Sequence, residues 1–303
     1  MRATAICIVV SFTLAIDDLS AHKDSTQLGD DAWKPSIDAP RFAPSRGPKV
    51  GVDAAHGNFH TIEGRFGPFA RLLVADGYQV HSVKSSITAH ALQTLDVFVI
   101  ANAGGDAEEW RLPTEPAFTS DEVRKLERWV RGGGSLLLIA DHLPFPGAAE
   151  SLAAAFDIVF LNGFAQPADG KTGTYVFRRD EGTLADHVIT REIPAVKAFS
   201  GQAFRATREV SPLFQVPDNW IVLLPTEAWK FEPDTPRVSA RGLYQAAVFE
   251  HGAGRVAVFG EAALFTAQSW TGEKGEVRRA GFADPRAPHN AKFVRNVLEW
   301  LTP

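Results

Sequence analysis

The chain has 303 residues, 45% hydrophobic and 22% charged, with a formal net charge of -5. That is enough chain for one large α/β domain with a substantial core. The charges are scattered without a basic stripe, so nucleic acid is not an expected partner. The single cysteine, Cys7, leaves no disulfide to form within the chain.

The first twenty residues stand apart. Arg2 precedes an apolar run, Ala3–Ile16, followed by Asp17 and Asp18. A short basic start and a run of that length read as a signal peptide over residues 1–21, cleaved after Ala21. The run is too short to cross a bilayer comfortably. The alternatives are a buried N-terminal strand or an uncleaved anchor. The expected mature chain is therefore exported, to the periplasm or beyond, with no transmembrane span. It also lacks cysteine, and so has neither a thiolate nucleophile nor a zinc-thiolate site. Residues 22–47 are polar and carry Pro35, Pro40 and Pro44 without periodicity. They read as a linker or surface arm that Trp33 and Phe42 tack down.

Residues 48–303 carry the α/β pattern. Lys49–Asp53 is the first strand. Phe66–Asp76 is a helix, with Phe66, Phe69, Ala70, Leu73 and Val74 on one face, Pro68 in its first turn and Gly77 at its end. Tyr78–Val83 is the second strand, Ala89–Leu95 a short helix, and Asp96–Ala101 the third strand. Ser120–Arg131 is a helix capped by Thr119 or Ser120 and stopped by Gly132. Ser135–Ala140 is apolar on both faces, as a central parallel strand must be. A helix over Ala148–Phe156 and a strand over Ile158–Leu161 follow. Residues 162–240 are less regular, with short strands at Thr174–Arg178, Val196–Ser200 and Trp220–Pro225. Leu243–Glu250 and Arg255–Phe259 form a hairpin, a charged loop carries Trp270, and Asn290 caps a last helix, Lys292–Leu301. This alternation predicts a doubly wound, mainly parallel sheet with inserted strands and a C-terminal hairpin plus helix.

In such a sheet, ligands bind outside the carboxyl ends of the strands. Polar residues collect at those ends. The first strand runs into Asp53, His56, Asn58 and His60; the fourth ends in Asp141 and His142; the hairpin ends in Glu261. His56 and His60 are four apart, with Gly57 and Asn58 between them, which favours a loop chelate over a helical one. Asp53, His56 and His60 are the candidate ligands of a divalent metal (zinc, manganese or iron), which would activate a water. Asp141, His142 and Glu261 are the candidate catalytic groups. Asn58, Arg65, Asn102, Gly104 and Trp270 are the candidate substrate contacts, with Trp110 and Trp229 as further stacking surfaces and Arg205 as a second cation. Two other readings stay open: a metal-free polar ligand site, and side chains that merely hold loop backbone. His187, His251 and His289 read as turn or cap residues. No Gly-x-Ser-x-Gly elbow or Walker loop occurs.

Four segments carry a resemblance: Asp53–Thr61 with Gly64 and Arg65; Gly132–His142; His187–Arg191 with Gly201 and Gln202; and Gly254–Ala263 with Asn290 and Asn296. In these the chain resembles a bacterial family of uncharacterised domains with the class I glutamine amidotransferase-like fold, related to trehalose-utilisation-protein-like and gliding-motility-like domains. The resemblance implies the fold and no particular reaction. Amidotransferases place a cysteine after the strand that here ends at Ala140, whereas this chain has Asp141 and His142. A thioester route to glutamine hydrolysis is excluded on chemistry. The expected function is a metal-assisted hydrolase of a small or carbohydrate-derived substrate. The alternative is a non-catalytic domain that binds a saccharide or a protein on the same edge. The oligomeric state is left open.

Overall fold

The computed structural model describes residues 27–170, 175–272 and 275–302. The expected signal peptide and Cys7 lie outside the described residues.

Nine strands build the central sheet. They are β1 (Lys49–Asp53), β2 (Gln79–Val83), β3 (Val97–Ala101), β4 (Ser135–Ile139), β5 (Ile158–Phe160), β6 (Phe204–Ala206), β7 (Ser211–Gln215), β8 (Tyr244–His251) and β9 (Gly254–Phe259). Their order is β2-β1-β3-β4-β9-β8-β6-β5, with β7 also on β8. The pairings from β2 through β1, β3 and β4 to β9 are parallel. Those of β8 with β9, β6 and β7, and of β6 with β5, are antiparallel.

The expected mainly parallel sheet is thus corrected to a mixed one. The hairpin is the reason. Strand β8 turns at Gly252, with φ +64°, into β9, and β9 joins β4 in parallel. The strands on the β8 side of β9 then run against their neighbours.

Strand alternation sends side chains to two cores. Val52, Val99 and Leu137 face helices α1 (Gly67–Ala75) and α3 (Asn290–Leu301), where they meet Phe69, Leu73, Phe293 and Val297. Phe98, Leu136 and Val258 face helix α2 (Ser120–Arg131) through Leu126 and Val130. Both faces are covered, which is why the central strands are apolar throughout. Helix α2 starts in a capping box in which Thr119 and Glu122 satisfy each other's backbone N–H groups.

Other expectations are revised. The helix expected over Ala148–Phe156 is two short ones, Phe145–Ala148 and Glu150–Ala154, broken where Ala149 leaves the helical region at φ −98°, ψ 7°. The stretch holding Trp270 is a strand, Ala267–Thr271, paired with Val277–Gly281 and edged by Leu28–Gly29. Phe164–Pro167, Trp220–Leu223 and Arg237–Ser239 form a separate three-stranded sheet. Asn290 does not cap α3. Its side chain accepts from the Lys197 N–H at 3.0 Å and donates to the Lys197 carbonyl at 2.7 Å, while His289 takes the cap position. No helix among the described residues is long and apolar enough to cross a membrane.

The described part of the polar arm is clamped. Asp76, fully buried at the end of α1, binds Arg41 of the arm at 2.9 Å and Arg295 of α3 at 2.7 Å. Phe42 meets the ring of Tyr78 edge-on, and Trp33 lies against Phe282. Burial opposes the Asp76 charge, but Arg295 and then Arg41 outweigh it and hold the carboxyl below its ordinary value. The stabilisation from this clamp is present above the ordinary carboxylate pKa and lost as the pH falls through the lowered one. Asp76→Asn is expected to cost about 3 kcal/mol, because it leaves two arginines without their shared anion. Urea midpoints at neutral pH and limited proteolysis of the arm check this; an unchanged midpoint would count against the clamp.

Candidate functional site

Asp53, Asn102, Asp141 and Glu261 stand at or just past the carboxyl ends of β1, β3, β4 and β9, four adjacent parallel strands. Two loops beyond these ends zip together through backbone bonds from Gly104 N–H to His56 O (2.8 Å), from Gly105 N–H to Gly57 O (2.7 Å) and from Phe59 N–H to Asn102 O (2.9 Å). Gly104, at φ +79°, could not carry a side chain, since a Cβ would lie 2.5 Å from the Ala148 methyl. Its glycine serves this packing.

His56 Nδ1 lies 2.9 Å from both oxygens of Asp53, and its Nε2 lies 3.1 Å from Glu122 Oε1. Both ring nitrogens therefore face carboxylates, an arrangement that suits an imidazolium donating from each side. Burial works against that charge, but Asp53 and then Glu122 outweigh it and raise the His56 pKa above its ordinary value. Glu122 is also resisted by burial, but His56, Thr119 and the Ile87 N–H bring its pKa down to about 2. The result is a clasp between the β1 loop and the start of α2.

His60 goes elsewhere. Its Nδ1 is 3.1 Å from Asn102 Nδ2 and its Nε2 is 3.2 Å from Gln268 Nε2. Asn102 Oδ1 accepts the Asp141 N–H at 2.9 Å, so Nδ2 is the group that faces the ring. Burial, then Arg65 and His142, push its pKa well below the ordinary value. Asn58 accepts from the His56 N–H at 3.1 Å and so shapes its own loop. Of the expected metal ligands, Asp53 and His56 meet and His60 turns to a different partner set. Among the described residues, no group of three or more His, Cys, Asp or Glu side chains is placed to hold a metal ion.

The candidate catalytic acids bond inward. Asp141 Oδ1 accepts from the His142 N–H at 2.9 Å and from Ser200 Oγ at 3.3 Å, and Oδ2 from the Ala262 N–H at 3.4 Å. Glu261 accepts from the N–H groups of Ala263 (2.7 Å) and Leu264 (2.9 Å). Both carboxyls are pushed up by burial, Glu261 further because Asp141 lies beside it.

His142 differs from the rest. Its Nδ1–H donates to Leu143 O at 2.8 Å, and Nε2 has no hydrogen-bond partner among the described residues. Burial lowers its pKa despite Asp141, so the ring is neutral with an open lone pair. Aromatic rings surround it: Phe164 stacked at 4.7 Å, Trp229 edge-on at 4.6 Å and Trp110 at 5.9 Å. Phe59 extends this belt, 5.0 Å from Trp110, and the Arg65 guanidinium lies 3.8 Å above Phe59. Phe231 extends it at the other end, 5.1 Å from Phe164. Trp110 is buried, whereas Phe59, Trp229 and Phe231 are half-buried. Trp270 is half-buried and two residues along its strand from Gln268, hence on the same strand face.

Sequence reasoning missed Glu122, whose one visible signal was the Thr-x-x-Glu capping box, and also Gln268, Ser200 and the phenylalanines of the belt, which carry no local signal.

No family model matches this chain, and no curated protein does. Solved structures do share its fold. The N-terminal domain of mmIFT52 superposes with a TM-score of 0.57 at 16% identity, over 84% of this chain and 97% of that one. Cytoplasmic Protein STM1381 from Salmonella typhimurium LT2 gives 0.50 at 15% identity, over 84% and 99%. A ThuA-like protein from Bacteroides uniformis gives 0.47 at 14% identity, over 88% and 94%. At these identities the likeness to the first two is one of fold alone.

The His56 clasp has a definite pH signature. The raised His56 pKa contributes stability that is complete below 6.5 and lost as the pH rises through the folded value. The lowered Glu122 pKa contributes stability that is complete above 4.5 and lost as the pH falls toward about 2. His56→Gln is expected to cost about 2 kcal/mol near pH 6. Its deficit should shrink on both sides of that window, as read from urea midpoints across a pH series. A deficit independent of pH would argue that the ring is held by packing alone.

Proposed function

We propose that this chain is a ligand-binding domain on a glutamine amidotransferase-like, doubly wound framework. It takes a small saccharide on the aromatic belt at the carboxyl edge and leaves it chemically unchanged. In this reading the chain is exported and meets its ligand outside the cytoplasm.

One contrast supports the reading. Asp53, His56, His60, Asp141 and Glu261 spend their polar atoms on neighbouring side chains or on backbone, whereas His142 Nε2 and Trp229 Nε1, both on the belt, have no partner among the described residues. Trp229 Nε1 is also buried, and a buried orphan polar atom costs about 1–3 kcal/mol. Mainly aromatic walls with a few convergent polar groups are what small-molecule sites share. The half-buried rings of Trp229 and Phe231 offer apolar surface to a sugar. Metal-assisted hydrolysis would instead require His56 to give up a carboxylate and His60 to leave Asn102, which breaks two buried hydrogen-bond sets.

Calorimetric titration of the purified protein with a panel of hexoses and disaccharides tests this. We expect binding without release of reducing ends. Trp229→Ala should weaken it about tenfold, as loss of an aromatic stacking face does, and Trp229→Phe less. Turnover of any sugar, abolished by His142→Ala, would overturn the binding reading in favour of a hydrolase. Failure of every sugar to bind would overturn it outright.

A further inference from the structure

Arg65 is an unbalanced charge at the rim of the belt. The other partly buried arginines are spoken for. Arg41 and Arg295 share Asp76, Arg208 reaches His251 and the Glu250 carbonyl, and Arg255 donates to the Trp300 carbonyl. The Arg65 guanidinium makes no hydrogen bond or ion pair among the described residues; its one marked contact is the face of Phe59, 3.8 Å from the ring centre. Burial lowers its pKa with no anion to offset the loss of water. A charge in that state gains from a partner more than an exposed one does.

The side chain is also set in place beforehand. Thr266 Oγ1 holds the Arg65 carbonyl at 2.5 Å, and the Gly64 and Phe66 N–H groups both return to the Thr61 carbonyl, at 3.0 and 2.9 Å. The turn is therefore fixed, and the guanidinium carbon rests over the Phe59 ring. Phe59 in turn touches Trp110, which touches His142. Arg65 therefore stands at the Phe59 end of the belt, where a ligand lying along that end would meet it.

We infer that Arg65 binds an anionic group, so that the ligand of this site is a saccharide bearing a carboxylate or a phosphate. The inference rests on the saccharide-binding reading of the same site. A planar guanidinium with unspent N–H donors matches either oxyanion through paired, charge-assisted hydrogen bonds. The chain's net charge of -5 gives an anion no long-range attraction, so selection for it must be local.

The test compares matched neutral and charged probes by calorimetry: galactose with galacturonate, glucose with glucose 6-phosphate, and inorganic phosphate alone. The wild type should bind one charged sugar about tenfold or more tightly than its neutral partner. Arg65→Gln should bring that ratio toward one, and Arg65→Lys, a point charge without the fork, should keep part of it; melting curves confirm that both variants fold. The galacturonate and glucose 6-phosphate arms tell carboxylate from phosphate. Phosphate alone binding as tightly as the sugar phosphate, and lost in Arg65→Gln, would support the anion contact and overturn the sugar. Equal affinity for neutral and charged sugars would overturn the Arg65 inference while leaving the binding-domain reading in place, as would a preference that survives Arg65→Gln. No binding by any probe would overturn both.

Discussion

The carboxyl edge of this protein depends on how Asn102 is bonded. It sits just past β3 at φ +50°, a conformation that asparagine tolerates better than most residues. Its N–H donates to Ile139 O, its carbonyl accepts from Phe59, its Oδ1 accepts from the Asp141 N–H and its Nδ2 faces His60. One buried side chain thus joins the ends of β3 and β4 to the loop after β1. Such a buried network is stable only when each member is satisfied. That demand fixes the path of the backbone into Asp141.

Chemistry follows from that arrangement. A general base needs a lone pair within reach of a substrate, and Asn102 faces His60 while loop N–H groups and Ser200 occupy Asp141 and Glu261. His56 is consumed by its two carboxylates. What remains is His142, whose ring is held by Leu143 O on one side and by aromatic contacts on the others. The edge therefore carries a polar, self-satisfied interior beside an apolar belt with a few open polar atoms. The first gives rigidity. The second gives a surface that a ligand gains by covering.

Much of this was legible in the sequence. Continuous apolar runs marked β1, β3 and β4, and the polar residues directly after them marked the edge, because strand ends are where a parallel sheet must hand its chain to loops. The antiparallel half was not legible as such. The hairpin of β8 and β9 was legible, but which strands follow β8 in the sheet depends on partners distant in sequence, and β5 and β6, three residues each, are too short to announce one. The histidine spacing was legible but ambiguous. Four residues apart on a loop says nothing about direction, and here Gly57 at φ +59° lies between two rings that serve different strands. The belt drew on Phe59, Trp110, Phe164 and Trp229, spread over the length of the domain, and no local pattern joins them.

The turn after β4 decides what the carboxyl edge can offer chemically. A strand end that exposes a reactive side chain must leave that side chain free of its own backbone. Asp141 does the reverse. Its Oδ1 closes onto the His142 N–H, and the His142 ring closes onto the Leu143 carbonyl, so consecutive residues spend their polar groups within the turn. Ser200 and Ala262 then bind Asp141 from the neighbouring segments, which keeps the carboxylate pointing into the sheet edge. To turn it outward would strand a carboxylate-sized set of donors in a buried place, a cost of several kcal/mol. The turn is therefore built to stay closed, and under the proposed reading recognition at this edge would fall to the rings and the arginine around it.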